Sequence, residues 1–160
     1  MDDLDGSAER LQVALETIGW SLRELSRRLG SDYSTIRKMA HGRRHIPPAL
    51  LDWLASIAAA MAAVPVDVSG NSVASAMSGD ELLQRLNAIG WDLPEAARRG
   101  ARNREHLRQM LHDQRPISAA FGQYVCLVEA AVAAQPDRPA GWGGRGRHVA
   151  GGTAQAPPVI

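Results

Sequence analysis

The sequence predicts an all-α protein made of two tandem copies of one small helical unit. Apolar residues recur at helical spacing, the runs stop at glycines, and no stretch alternates as a strand would. Aromatic residues make up only 4% of the chain while alanine is abundant, which favours packed helices over a β-sandwich. The sequence Leu15-x-x-Ile18-Gly19-Trp20 returns as Leu86-x-x-Ile89-Gly90-Trp91, and the same offset aligns Leu11–Ala63 with Leu82–Ala134 without a gap. About a third of the aligned positions are identical, including Glu24 with Glu95, Arg27-Arg28 with Arg98-Arg99, Met39 with Met110 and Ile46 with Ile117.

In the first copy, Leu11, Leu15 and Ile18 mark one face of a helix that ends at Gly19. Ser21-Leu22-Arg23-Glu24 is a capping box, with serine at the N-cap and glutamate three residues on, and it opens a short helix that stops at Gly30. A third helix begins near Asp32, with Ile36, Met39 and Ala40 facing inward, and ends at Gly42. Pro47-Pro48 suits the first turn of a fourth helix, which carries Leu50, Trp53, Leu54, Ile57 and Met61 on one face. The second copy repeats the plan: Leu82, Leu86 and Ile89, then the Asp92–Glu95 capping box, then Leu107 and Met110, then Phe121, Tyr124, Val125, Val128 and Val132. The units span 7–63 and 80–134. Between them 64–79 has linker composition, with Pro65, Gly70, Asn71, Gly79 and four serines. After Ala134 the Gly/Pro-rich sequence 135–160 shows no hydrophobic period and is expected to be a disordered tail.

Composition excludes several classes. Cys126 is the single cysteine, so neither an internal disulfide nor a multi-cysteine zinc site is available. The acidic start lacks a signal-peptide pattern, and the longest apolar stretch, Ile57 to Val66, is too short to span a bilayer. A cytoplasmic protein with no membrane partner is expected. The histidines do not cluster with acidic residues at ligand spacing, and no phosphate loop, nucleophile elbow or carboxylate pair stands out, so no metal, no cofactor and no enzymatic activity are expected. Trp20 and Trp91 are expected to pack in the core or wedge between helices.

The net charge is +1, and its distribution is the informative part. From Ser21 to His45 seven basic residues (Arg23, Arg27, Arg28, Arg37, Lys38, Arg43, Arg44) face only Glu24 and Asp32. From Arg98 to Arg115 six arginines face Glu105 and Asp113. With its apolar anchors inward, the third helix leaves Asp32, Tyr33, Ser34, Arg37, Lys38 and His41 outward in copy one. Copy two leaves Asn103, Arg104, Glu105, Arg108, Gln109 and His112. Arginine can pair with guanine, Asn or Gln with adenine, and Glu with cytosine. His41 and His112 end their helices, where a cation suits the dipole or a phosphate.

Two short helices joined by a tight turn describe a helix-turn-helix. Ser21 to Met39, with small Ser26, turn glycine Gly30 and aliphatic Ile36 and Met39, followed by Gly42-Arg43-Arg44-x-Ile46-Pro47, resembles the lambda-repressor/Cro-like (XRE-type) family. In copy two Ala97, Ala101, Leu107 and Met110 hold those places, and Gly100 lies one position before the turn glycine. The resemblance covers both copies but neither linker nor tail. It implies a sequence-specific regulator bound to double-stranded DNA, with repression by promoter occlusion and a phage or mobile-element origin. The outward third-helix residues above, with Arg27, Arg28, Arg43, Arg44, Arg98, Arg99 and Arg115, are the expected DNA contacts. The apolar fourth helices also offer a face for homodimerisation. The rival reading is a protein-interaction or oligomerisation module in which one or both copies no longer bind DNA.

Overall fold

Side-chain caps set most of the helix starts. Ser21, Ser78, Asp92, Asn103 and Ser118 each accept a hydrogen bond from the backbone N–H three residues on, at 2.7–3.3 Å. The computed structural model describes residues 2–66, 73–100 and 102–142. Their helices are α1 (Asp2–Ile18), α2 (Leu22–Leu29), α3 (Tyr33–Ala40), α4 (Pro48–Ala62), α5 (Gly79–Ile89), α6 (Leu93–Arg99), α7 (Arg104–Leu111) and α8 (Ala119–Ala133). Among the described residues there is no β-strand beyond an isolated antiparallel bridge between Ala74 and Ser118. No helix of the described residues is long and apolar enough to cross a membrane.

Within each copy the first helix packs on the fourth, α1 on α4 and α5 on α8, and the second packs on the third. Leu11, Ile18, Leu25, Ile36, Leu50 and Leu54 are fully enclosed in copy one, as are Leu82, Ile89, Leu107, Phe121 and Val125 in copy two. One pair of positions shows the two cores adjusting to each other's departures. Leu29 and Leu50 of copy one become Gly100 and Phe121 of copy two, and a Cβ on Gly100 would come within 2.8 Å of the Phe121 ring. The larger ring reaches into the space the missing side chain leaves and offsets part of the lost volume. Gly100 therefore serves packing, with φ −80°, whereas Gly30 ends α2 in the left-handed conformation, with φ 61°.

The two copies are not separate beads on a string. α4 packs against α8, and both copies contribute to a continuous core. The apolar fourth helices expected to dimerise between molecules thus meet each other within one chain. Part of the expected linker is also structured. Residues 67–72 lie outside the described residues, but the Ser75 N–H donates to the Ile117 carbonyl at 2.7 Å and the Ala119 N–H to Val73 at 3.0 Å. Gly79 is buried in the first turn of α5, and its N–H donates to the Asp113 carboxylate. Copy one could not take such a peptide in the same way. Its residues at the places of Ser118 and Ala119 are Pro47 and Pro48, which have no N–H to give.

The chain after α8 also departs from the disordered tail expected of its composition. Gln135–Trp142 return from α8 across copy one, where the Trp53 indole donates to the Pro136 carbonyl at 2.9 Å and the Arg138 guanidinium to the Arg28 carbonyl at 3.1 Å. Half-buried Trp142 packs against the core, and Pro139–Trp142 border a cavity with Gly30, Thr35, Arg44 and Pro47. The missed signal was a single aromatic anchor in a Gly/Pro-rich stretch. Residues 143–160 lie outside the described residues.

Candidate nucleic-acid interface

α3 is held by Ile36, Met39 and Ala40, all at most 3% exposed, and this orientation leaves its other side in solvent. Asp32, Tyr33, Ser34, Arg37, Lys38 and His41 are all exposed, as are Arg43 and Arg44 in the loop that follows. Several of these groups are already oriented. The Ser34 hydroxyl donates to the Asp32 carboxylate, and this bond, outweighing slight desolvation, holds Asp32 below its ordinary acidity value. Arg23 sits over the Tyr33 ring at 5.9 Å, and Arg44 donates to the Thr35 hydroxyl at 3.3 Å. Arg37, Lys38 and Arg43 have solvent-facing positions near one end of the helix pair, suited to base edges or phosphates.

α7 is seated by Leu107 and Met110. Asn103, Arg104, Glu105, Arg108, His112 and Arg115 are exposed, and Gln109 is half-buried. The Asn103 amide oxygen accepts from the His106 N–H at 2.7 Å as the N-cap, which leaves its NH₂ and one lone pair of the oxygen to offer. Arg108 and Glu105 form a loose exposed pair at 3.8 Å. His41 and His112 cap the C-terminal ends of α3 and α7, as their positions in the sequence suggest.

The paired arginines divide into two kinds. Arg27 and Arg98 are about two-thirds exposed and remain on the outer surface, each bonded to the glutamate three residues before it. Arg28 and Arg99 are turned toward the other copy, with 19% and 20% of their side chains exposed. Arg28 Nη2 donates to the Ala88 carbonyl at 2.6 Å, and Arg99 Nη2 donates to Thr17 at 2.6 Å. Each guanidinium also covers its own copy's tryptophan, at 4.2 Å for Arg28 on Trp20 and 5.4 Å for Arg99 on Trp91. Their placement ties the copies together rather than facing outward with α3 and α7.

The tryptophans complete that contact. The Trp20 indole donates to the Ile89 carbonyl at 2.7 Å, and the Trp91 indole donates to Ile18 at 2.8 Å, both buried. Ile18 and Ile89 end α1 and α5, so their carbonyls have no partner within their own helices. Each first helix thus has its last carbonyl satisfied by the opposite copy. Gly19 and Gly90 let the copies approach: a Cβ on Gly19 would collide with the Glu95 carboxylate, and one on Gly90 would lie 2.6 Å from that of Glu24. Every one of these contacts has its counterpart under exchange of the copies, the signature of an isologous, two-fold interface.

Glu24 and Glu95 sit at the centre of the two clasps. Burial pushes each carboxyl up, but hydrogen bonds from Arg27 and Arg28, or from Arg98 and Arg99, outweigh it and hold both below the ordinary value. Among the described residues no group of three His, Cys, Asp or Glu side chains gathers to hold a metal ion. Comparison with family models, curated proteins and solved structures finds no match to this chain.

Proposed function

We propose that the chain is a sequence-specific regulator that binds double-stranded DNA through α3 and α7, in the manner of the XRE-type helix-turn-helix family it resembles. The observation that carries this reading is the pair of outward helix faces, each seated by two or three buried anchors and each presenting residues that can pair with base edges. Arg37, Lys38, Arg104, Arg108 and Gln109 are the expected base readers. Arg43, Arg44 and Arg115, in the loops after the helices, are expected on phosphates. Arg27 and Arg98 stay exposed enough to join them, while Arg28 and Arg99 act by holding the copies in place. Occlusion of a promoter is the regulatory mode that the resemblance implies. Mobility shifts of the full chain on duplexes selected from a random pool test the reading; failure to enrich any sequence would refute it.

A second reading keeps DNA binding for copy one and makes copy two a protein-interaction element. It is favoured by the state of α7, where Asn103 is partly spent on the cap and Glu105 is paired with Arg108. Substituting Arg104 and Arg108 by alanine separates the two: unchanged duplex affinity would favour this second reading.

A further inference from the structure

We infer that one chain acts as a complete two-headed reader, whose DNA target is a single duplex site with two unlike halves at one fixed spacing. The inference rests on the DNA-binding reading above and concerns how the two faces are coupled. A chain with loosely tethered modules would tolerate halves at many separations, because a flexible linker costs little to stretch. Here the two copies are joined by far more than residues 67–72. Buried indole-to-carbonyl bonds cross in both directions, Arg28 and Arg99 reach across to the opposing helix ends, and α4 packs on α8. Independent motion of the copies would leave the Ile18 and Ile89 carbonyls and the Arg28 and Arg99 donors without these partners.

A two-fold interface exchanges α3 with α7, so it relates the two outward faces as a symmetric dimer relates those of its subunits. The side chains do not obey the symmetry. Tyr33, Ser34 and Lys38 stand where copy two has Arg104, Glu105 and Gln109. Quasi-symmetric placement with different chemistry calls for two half-sites of opposite orientation and different sequence. Moving one half by a single base pair rotates it about 35° around the duplex, which a rigid reader cannot follow.

The experiment uses the full chain and a duplex pool with random sequence. From the selected site, variants carry one, two, about 5 or about 10 extra base pairs between the halves, the last being roughly one helical turn. The expected result is binding of one chain per duplex, with a loss of about 10²–10⁴-fold at an insertion of half a turn, as the second head's tethered contribution disappears. Insertion-tolerant binding, a single half-site, two chains per duplex, or one chain bridging two duplexes would each overturn the inference while leaving the DNA-binding reading intact. No enriched duplex at all would instead remove that reading. Trp20→Phe with Trp91→Phe adds a positive control, since a loosened clasp should relax the spacing preference more than it weakens a single half-site. The milder Glu24→Gln with Glu95→Gln variant makes the same comparison if the tryptophan variant fails to fold.

Discussion

Replacing Trp20 by phenylalanine keeps a ring in the core but removes the one donor that satisfies the Ile89 carbonyl across the interface. Trp20 and Trp91 are 4% and 3% exposed, and both of their hydrogen bonds are buried. A buried carbonyl left without a partner costs about 1–3 kcal/mol. Each single variant should therefore lose about 1–3 kcal/mol, equivalent to a few degrees and up to about 10 °C in melting temperature for a chain of this size. Trp53 is the internal control. Its indole also donates to a carbonyl, that of Pro136, but at an exposed site where water can replace the bond. The ring is half-buried and packs 5.9 Å from Trp20, so Trp53→Phe should cost less than the clasp variants, about 1 kcal/mol or below. Urea denaturation followed by far-UV circular dichroism measures all three. If Trp20→Phe and Trp91→Phe prove no more costly than Trp53→Phe, the clasp does not hold the copies together as argued. A large effect of one and none of the other would refute its two-fold character.

Acid should open the same clasp. Glu24 and Glu95 have folded values held below the ordinary 4.5, so they contribute stability that is present above that value and lost as pH falls through the lowered one. Denaturation midpoints should decline below about pH 4.5, less so in Glu24→Gln with Glu95→Gln; an unchanged slope in that variant would locate the acid sensitivity elsewhere. Arg37→Ala should cost about 1–3 kcal/mol on a selected duplex and relax preference at one base pair, whereas Arg43→Ala should weaken all sequences alike. Mobility shifts on matched and mismatched duplexes distinguish them, and equal losses for Arg37→Ala would remove its base-reading role. Trp142→Ala should release the returning segment from copy one at a cost of about 1–2 kcal/mol; full stability in the same urea assay would show that the segment rests there without contributing.

Much of the helical plan is legible because it depends on local chemistry. The N-caps at Ser21 and Asp92 form as their spacing suggests, although Glu24 and Glu95 bind arginines instead of closing the capping boxes, and Gly19, Gly30, Gly42 and Gly90 all adopt the left-handed conformation at or just beyond helix ends. Which residues of α3 and α7 face outward follows from the spacing of Ile36, Met39, Leu107 and Met110. What local patterns do not convey is the relation between the copies. Arg28 and Arg99 carry the same charge and neighbours as Arg27 and Arg98, yet one helical step turns them from solvent to the interface. A signal was nevertheless present in the repeat. Gly19, Trp20, Glu24 and Arg28 recur unchanged as Gly90, Trp91, Glu95 and Arg99, and these are the residues that meet across the two-fold contact. The clasp residues of the two-fold contact are thus identical between the copies, while four of the six outward positions of the third helices differ, Arg37/Arg108 and His41/His112 being the shared ones.

Titration of the full chain with a labelled duplex at increasing salt tests the central claim most directly. Two basic faces neutralising several phosphates each, about six to ten in all, should give affinity that falls by about 10³–10⁵ between roughly 50 and 200 mM salt. Fluorescence anisotropy reads this on a duplex of any sequence, since the phosphate contribution does not depend on the bases. Steep salt dependence, with tighter binding to the selected duplex than to a scrambled one, is the predicted result. No binding at the lowest salt, or binding indifferent to salt, would contradict it.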